Sequence, residues 1–350
     1  MQTKRLFLVD GSALAYRAHY ALSDHTLTNS RGVLTGAVFG FVNSLLGLLE
    51  QERPEAIAVV FDASGPTFRH ELLEKYKAKR KAMPEELVEQ MPVIRHFVRA
   101  LGMTLLREQG VEADDVIGTL ARRAEVSGMQ TWIVSPDKDF AQLVTEQVTL
   151  LRPKHRGKGY NVMDQAGVQE RFGVKPTQFI DYLALVGDTS DGFDGVKGIG
   201  EKTATALLNQ FGSLDQVYAQ IEEVKPAGTK KKLEEQHEGA MLSRQLATIV
   251  TDVEIDFTPE ALLWSSIDSQ ETYRLCADLE FPSLWKRLRK WSAEDQQDVE
   301  IQAFYEPAPE LEITLVKDRS GLEAAVKQAA QAERLFWHWF MPDPEHSERG

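Results

Sequence analysis

The 350-residue chain is 43% hydrophobic and 27% charged, with a formal net charge of −13. That composition fits a soluble globular protein long enough for two or more domains, with no run approaching a membrane span. Cys276 is the single cysteine, which excludes an intramolecular disulfide framework and fits a reducing cytosol; the N-terminal residues show no secretory core.

In chain order, strand-like runs end near residues 9, 61, 105 and 134, and helix-like stretches cover 36–51, 85–101 and 113–127. The alternation predicts an α/β core, residues 1–175, with a mostly parallel sheet. From about 175 short helices replace the strands, at 176–187, 200–210, 213–222, 229–236 and 238–250, with another pair at 269–290. They define a helical subdomain over 176–290. Residues 291–311 read as an acidic linker: 292–312 carry seven acidic residues, no basic ones, and the prolines Pro307 and Pro309. A further strand–helix–strand pattern occupies 312–350.

Acidic residues cluster where apolar runs stop. Asp10 follows Leu6–Val9, Asp62 follows Ile57–Phe61, and Asp137 and Asp139 follow Trp132–Val134. In α/β sheets that edge is where sites form. Glu112, Asp114 and Asp115 open a helix, and Asp188 and Asp191 flank a glycine-rich turn. Each burst has an ordinary explanation by itself: helix capping for the trio, a strand-to-helix turn at Asp10-Gly11-Ser12, an Asx-rich loop at Gly187–Gly192. Together they ask for one cause, because crowded carboxylates repel and are costly to bury unpaired. Divalent ions supply it, and two ions about 3.5–4 Å apart can clamp a scissile phosphate. Nine carboxylates exceed what two ions ligate directly, so many would act through water. No His or Cys cluster points to zinc.

Residues 68–81 hold six basic and two acidic residues, a local +4 that can outweigh the global sign. Lys77 and Arg80 share a face if this stretch is helical. It reads either as a solvated charge run or as a mobile element pressing cations onto phosphates. The hairpin Gly195-Val196-Lys197-Gly198-Ile199-Gly200 precedes a helix, so its backbone N–H groups can approach a phosphate, with Lys197 and Lys202 adding charge; a plain capping turn is the alternative. It is not a nucleotide P-loop, since Glu201 stands where glycine must precede the lysine.

These segments resemble, in order, the motifs of the 5′-nuclease domain of bacterial DNA polymerase I, in the flap endonuclease superfamily. The match runs over roughly residues 4–290: Leu8-Val9-Asp10-Gly11-Ser12; Val60-Phe61-Asp62 with Phe68-Arg69-His70 and Tyr76-Lys77; Glu112-Ala113-Asp114-Asp115-Val116; Asp137-Lys138-Asp139; and Gly187-Asp188-Thr189-Ser190-Asp191 with the glycine hairpin. The resemblance implies a PIN-like core, a helical arch at about 68–100 and a helix-turn-helix-like DNA-binding subdomain. It implies two Mg²⁺ or Mn²⁺ ions held by Asp10, Asp62, Glu112, Asp114, Asp115, Asp137, Asp139, Asp188 and Asp191, directly or through outer-shell contacts. A potassium ion would sit at hairpin 196–200. Lys77 and Arg80 match the cations that meet the scissile phosphate. Arg69, Tyr76, Arg17, Tyr20, Lys197, Gly198, Gly200, Lys202 and Thr203 are implied to contact DNA, with Tyr16 beside Tyr20 on the first helix.

The implied activity is removal of 5′ flaps and RNA primers during replication and repair, by a monomer continuous with a polymerase in the bacterial cytoplasm, at the nucleoid. A PIN-type ribonuclease and a non-catalytic junction-binding module remain the alternatives; a haloacid-dehalogenase phosphatase is disfavoured because Ser12, not Asp, follows Asp10 by two. Two departures stand out. Gly192-Phe193-Asp194-Gly195 replaces the usual Asn and Pro-Gly, so the Asp191 loop is expected to be looser or fixed by Asp194. Pro136 removes a backbone donor before Asp137. Residues 312–350 resemble the start of a following exonuclease-like domain. Trp337-His338-Trp339-Phe340 stands in place of its Asp-x-Glu, so that domain is expected to be inactive and the chain to be a fragment of a longer polymerase.

Overall fold

The computed structural model describes residues 4–22, 27–154 and 159–293. They fall within one compact unit, Met1–Val299. Most of the acidic linker and the whole of 312–350 lie outside the described residues.

Six strands form one sheet: β1 (Arg5–Asp10), β2 (Ala56–Val60), β3 (Thr104–Leu106), β4 (Gln130–Val134), β5 (Val148–Pro153) and β6 (Tyr160–Met163), in the order β3-β2-β1-β4-β5-β6. Every pairing is parallel except β5 with β6. The first four match the strand-like runs read from sequence. β5 and β6 extend the sheet beyond that reading; β6 has two exposed residues and carries little apolar signal.

Between the strands run α1 (Gly11–Ala21), α2 (Gly36–Glu52), α3 (Phe68–Leu72), α4 (Glu85–Ala100), α5 (Ala113–Val126) and α6 (Gln165–Phe172). The helical part follows as α7 (Phe179–Val186), α8 (Glu201–Phe211), α9 (Leu214–Ala219), α10 (Ala227–Glu235), α11 (His237–Ala247), α12 (Ser269–Asp278) and α13 (Pro282–Leu288). None of the described helices is long and apolar enough to cross a membrane.

The inner strands are buried on both faces, which is why they read as continuous apolar runs rather than alternating ones. Leu6, Leu8, Ala58, Val60 and Ile133 join a core shared with α5, α7, α8 and α11. By the pleat, Phe7, Val9, Ile57 and Val59 face the other way. There Phe61 packs against Phe41 of α2. Sheet and helical part therefore share one continuous core.

The expected helix through Lys77 and Arg80 is not formed. After α3 the chain runs in successive turns over 74–79 and is irregular to Pro84, where α4 begins. Lys77 takes a left-handed backbone, φ 54°. Six cations packed into one helical stretch would repel each other, and in the turns Lys77 pairs with Glu112 while Arg80, just after them, pairs with Asp191.

Candidate nuclease site

β1 lies at the centre of the sheet, where the crossover direction reverses between β2 and β4. The carboxyl ends of these strands form the topological switch point that commonly holds the site of an open α/β sheet. Asp10 ends β1 and caps α1: its Oδ1 accepts from Ala13 N at 2.9 Å and its Oδ2 from Ser135 Oγ at 2.8 Å. Asp62, two residues past β2, accepts from Ala113 N at 3.0 Å. The same Ser135 Oγ accepts from Asp137 N at 3.1 Å, and Asp137 Oδ1 accepts from Asp139 N at 2.9 Å. Ser135 thus ties the β1 carboxylate to the β4 pair.

Glu112 caps α5, placing Asp114 and Asp115 in its first turn. Asp188 and Asp191 are brought in by a closed loop. Asp188 N donates to Phe193 O at 2.9 Å, Phe193 N returns to Asp188 O at 3.1 Å, and Phe193 is buried. The loop is therefore not looser, and Asp194 does not fix it; Asp194 is exposed and pairs with Lys197 at 3.2 Å. Pro136 has no N–H to give, and its carbonyl accepts from Arg152 Nη2 at 2.7 Å.

The crowding shows in the acidities. Burial, with help from Asp62 and Asp137, pushes Asp10 up to about 7 against two opposing hydrogen bonds. Burial and the charges of Asp137 and Asp10 raise Asp114 well above the usual carboxylate range. Burial and Asp137 do the same to Asp139. Asp139 Oδ1 is buried with no hydrogen-bond partner. Such an oxygen is costly unless a cation meets it.

Cations of the chain meet several of the others. Lys77 Nζ lies 2.5 Å from Glu112 Oε1 and 3.9 Å from Asp191 Oδ2, and its N–H donates to Asp191 O at 2.8 Å. Arg80 pairs with Asp191 Oδ1, and Lys138 Nζ lies 2.5 Å from Asp188 Oδ2. Burial pushes Asp188 up, but Lys138 and Ser190 more than offset it and hold the carboxyl below its usual range. With these partners in place, no three acidic, His or Cys side chains among the described residues stand at ion-ligating spacing. The donor set is nonetheless all hard oxygen, and one of its oxygens is orphaned, which fits a divalent ion.

Two expected DNA contacts need correction. Arg69 is 2% exposed and Tyr76 3% exposed. Arg69 is bound to Asp115 by two hydrogen bonds of 2.7 and 2.8 Å. Tyr76 Oη reaches Glu112 and Asp191, each at 3.2 Å. A cationic run does not reveal which member turns inward. The Arg17 guanidinium donates to Lys154 O at 2.6 Å. Tyr20 is 60% exposed and stacks on Tyr16.

At the glycine hairpin, Lys197 is held by Gln236, and Lys232 Nζ donates to Gly198 O at 3.0 Å. Gly200 is the N-cap of α8 with no side-chain cap, and nothing lies within 4 Å of where its Cβ would be. Lys202 is exposed and Thr203 half-buried on the first turn of α8. The sequence reading missed Ser135, Lys138 and Arg152. A single polar residue beside a strand leaves no periodic trace; Lys138 alone could have been noticed, from its place between two aspartates.

A mostly parallel sheet carries acidic residues at its switch point, and a glycine hairpin with no side-chain cap precedes α8, as in an α/β protein with a polar site at the strand ends. Adjoining family models match the chain: 5′-3′ exonuclease, N-terminal resolvase-like domain, over residues 5–173, and 5′-3′ exonuclease, C-terminal SAM fold, over 174–270. The chain belongs to the 5′-3′ exonuclease family, as the domain found in DNA polymerase I. It is 40% identical to DNA polymerase I of Bacillus subtilis over 301 residues, 86% of this chain and 34% of the relative. With DNA polymerase I of Pseudomonas aeruginosa it shares 42% over 342 residues, 96% of this chain and 37% of that one. The chain thus spans about a third of the length of these relatives. Among solved structures the T5 5′-exonuclease with bound zinc has a TM-score of 0.60 at 20% identity, covering 82% of this chain and 99% of that one. The catalytic core of Rad2 with DNA has a TM-score of 0.57 at 16% identity, covering 83% and 92%. At those identities the two structures speak to the fold.

Proposed function

We propose that this chain is a Mg²⁺- or Mn²⁺-dependent nuclease that cuts DNA at 5′ flaps and nicks and removes RNA primers, as the N-terminal part of a longer polymerase. The observation that carries the reading is the apposition at Glu112 and Asp191: the cations suited to a phosphate, Lys77 and Arg80, lie directly on carboxylates suited to ions. Asp10, Asp62, Asp114, Asp137, Asp139, Asp188 and Asp191, with Glu112, would hold two ions. Bound there, the ions would supply Lewis-acid stabilisation of the phosphate and an activated water. The chain's own part is to orient the phosphate. Moving from Glu112 and Asp191 onto phosphate oxygens, Lys77 and Arg80 keep a charge-assisted contact while freeing carboxylate oxygens.

Gly198, Gly200, Lys197, Lys202 and Thr203 would take the duplex backbone at the open start of α8. Tyr20, with Tyr16, offers the junction strand a stacking surface. The potassium ion implied at 196–200 would compete with the Lys232 ammonium on Gly198 O. We further propose action as a monomer in the bacterial cytoplasm, near the nucleoid.

The test is a 5′-labelled double-flap duplex incubated with Mg²⁺ and with chelator. Metal-dependent release of short 5′ fragments is expected. Single-stranded RNA cut as fast as the flap would favour a PIN-type ribonuclease, and tight binding without cleavage a junction-binding module.

A further inference from the structure

One of the nine carboxylates is already saturated by the protein. Asp115 is fully buried. Its Oδ1 accepts from Arg69 Nη2 at 2.8 Å and Val250 N at 2.9 Å. Its Oδ2 accepts from Arg69 Nη1 at 2.7 Å and Glu112 N at 3.0 Å. An ionised carboxylate offers about four lone-pair directions, and all are used. Arg69 is equally committed. Nε donates to Leu246 O at 3.0 Å, Nη2 also donates to Thr248 O at 2.7 Å, and the guanidinium rests on the Phe68 ring.

The pair joins three stretches distant in sequence: α3 at the root of the basic segment, the first turn of α5, and the chain leaving α11. Neighbouring bonds reinforce the junction. Thr119 Oγ1 accepts from Val253 N, and Gln142 bonds both Ala247 O and Ile249 N. Farther back on α11, Ser243 Oγ accepts from Gly195 N at the start of the glycine hairpin. A continuous path of buried contacts thus runs from that hairpin, along α11, through Arg69 and Asp115, to Glu112.

We infer that Arg69 and Asp115 are a positioning pair that fixes where the cut falls, taking no part in ion binding or DNA contact. The inference rests on the nuclease reading above and deepens it. If the hairpin grips the duplex and the α5 carboxylates hold the ions, the distance from grip to cut is the length of this path. The pair is its link from α11 to the first turn of α5.

The experiment uses the full chain with Asp115→Asn and Asp137→Asn. Ca²⁺ binding is measured by calorimetry, and cut sites are mapped on a 5′-labelled flap in Mg²⁺. Asp115→Asn is expected to bind the same number of ions as the unaltered chain, with affinity within about threefold, whereas Asp137→Asn loses one. Cleavage by Asp115→Asn is expected to slow by up to about 10²-fold, as misplacement does, and to spread over neighbouring phosphodiesters. Loss of an ion by Asp115→Asn overturns the inference, as does a cut that stays sharp at an unchanged rate. Should circular dichroism show that Asp115→Asn does not fold, Arg69→Met with Asp115→Leu removes both charges together, a change buried pairs often tolerate. An ion lost in that double variant overturns the inference equally. Absence of any cutting by the unaltered chain counts against the nuclease reading alone, since the ion count is independent of cleavage.

Discussion

Asp10 closes a strand, caps a helix and lies among other acids, and its side chain must serve all three. Burial raises its carboxyl to about 7, so the folded state holds a proton that the unfolded chain, near 3.8, releases. The contribution of this group to stability is therefore full below about pH 4 and is lost as pH rises towards 7. Asp10→Asn removes that loss. The amide oxygen can keep the Ala13 cap and the amide nitrogen can donate to Ser135. In chelator at pH 8 the variant should unfold at higher temperature, by about 1–3 kcal/mol in stability. The gain should vanish near pH 4, and ion binding should be lost. A variant less stable at pH 8 would show that the capping bonds outweigh the repulsion. Such an exchange of stability for function is what a buried acidic site implies.

Among the elements, the loop carrying Asp188 and Asp191 shows how backbone shape delivers side chains. Gly187 (φ 78°) and Gly195 (φ 62°) meet where the loop closes, and a Cβ on Gly195 would fall 2.4 Å from Gly187 N. No side chain fits at either position. Gly195→Ala should destabilise the chain by at least about 1–3 kcal/mol and abolish cleavage, measured by denaturant unfolding and the flap assay. Full activity would mean that the loop can be rebuilt without this contact. Gly195 was legible as the start of a hairpin, and the strand-end aspartates as neighbours at one sheet edge, because the latter fall where apolar runs stop. Other parts were hidden for physical reasons. Arg69 belongs to a basic run by composition, but Phe68 under its guanidinium and Asp115 across from it draw it inward. β6 is too short and too exposed to alternate cleanly. The turns at 74–79 replace a helix because acids far along the chain attract the cations individually, and local propensity contains no record of those partners.

At the level of the whole molecule, a net charge of −13 coexists with a proposed polyanionic ligand. Several of the acids at the strand ends meet cations of the chain itself, while Lys197 and Lys202 are exposed at the hairpin and the start of α8. One core also runs from the sheet through α11 to Leu262. Although the two family models divide at 173/174, the parts bury their apolar surface against each other. Calorimetry on residues 1–293 should accordingly show one transition, with calorimetric and van't Hoff enthalpies in agreement. Two resolved transitions would mean that the shared core does not couple the parts.

Lys77 on Glu112 gives the resting enzyme its own counter-ion. At the proposed ion site the ammonium would compete with a metal for the same oxygen, so sensitivity to ion concentration would be set by a lysine as well as by acids. Occupancy of that proposed site would then be an exchange of partners, with a threshold that sequence changes in the basic segment could move. Lys77→Ala should therefore bind Ca²⁺ more tightly, leave flap affinity within about threefold and cut about 10²–10³-fold more slowly. Tighter ion binding paired with slower cutting would separate this competition from a plain loss of structure; weaker Ca²⁺ binding would refute it.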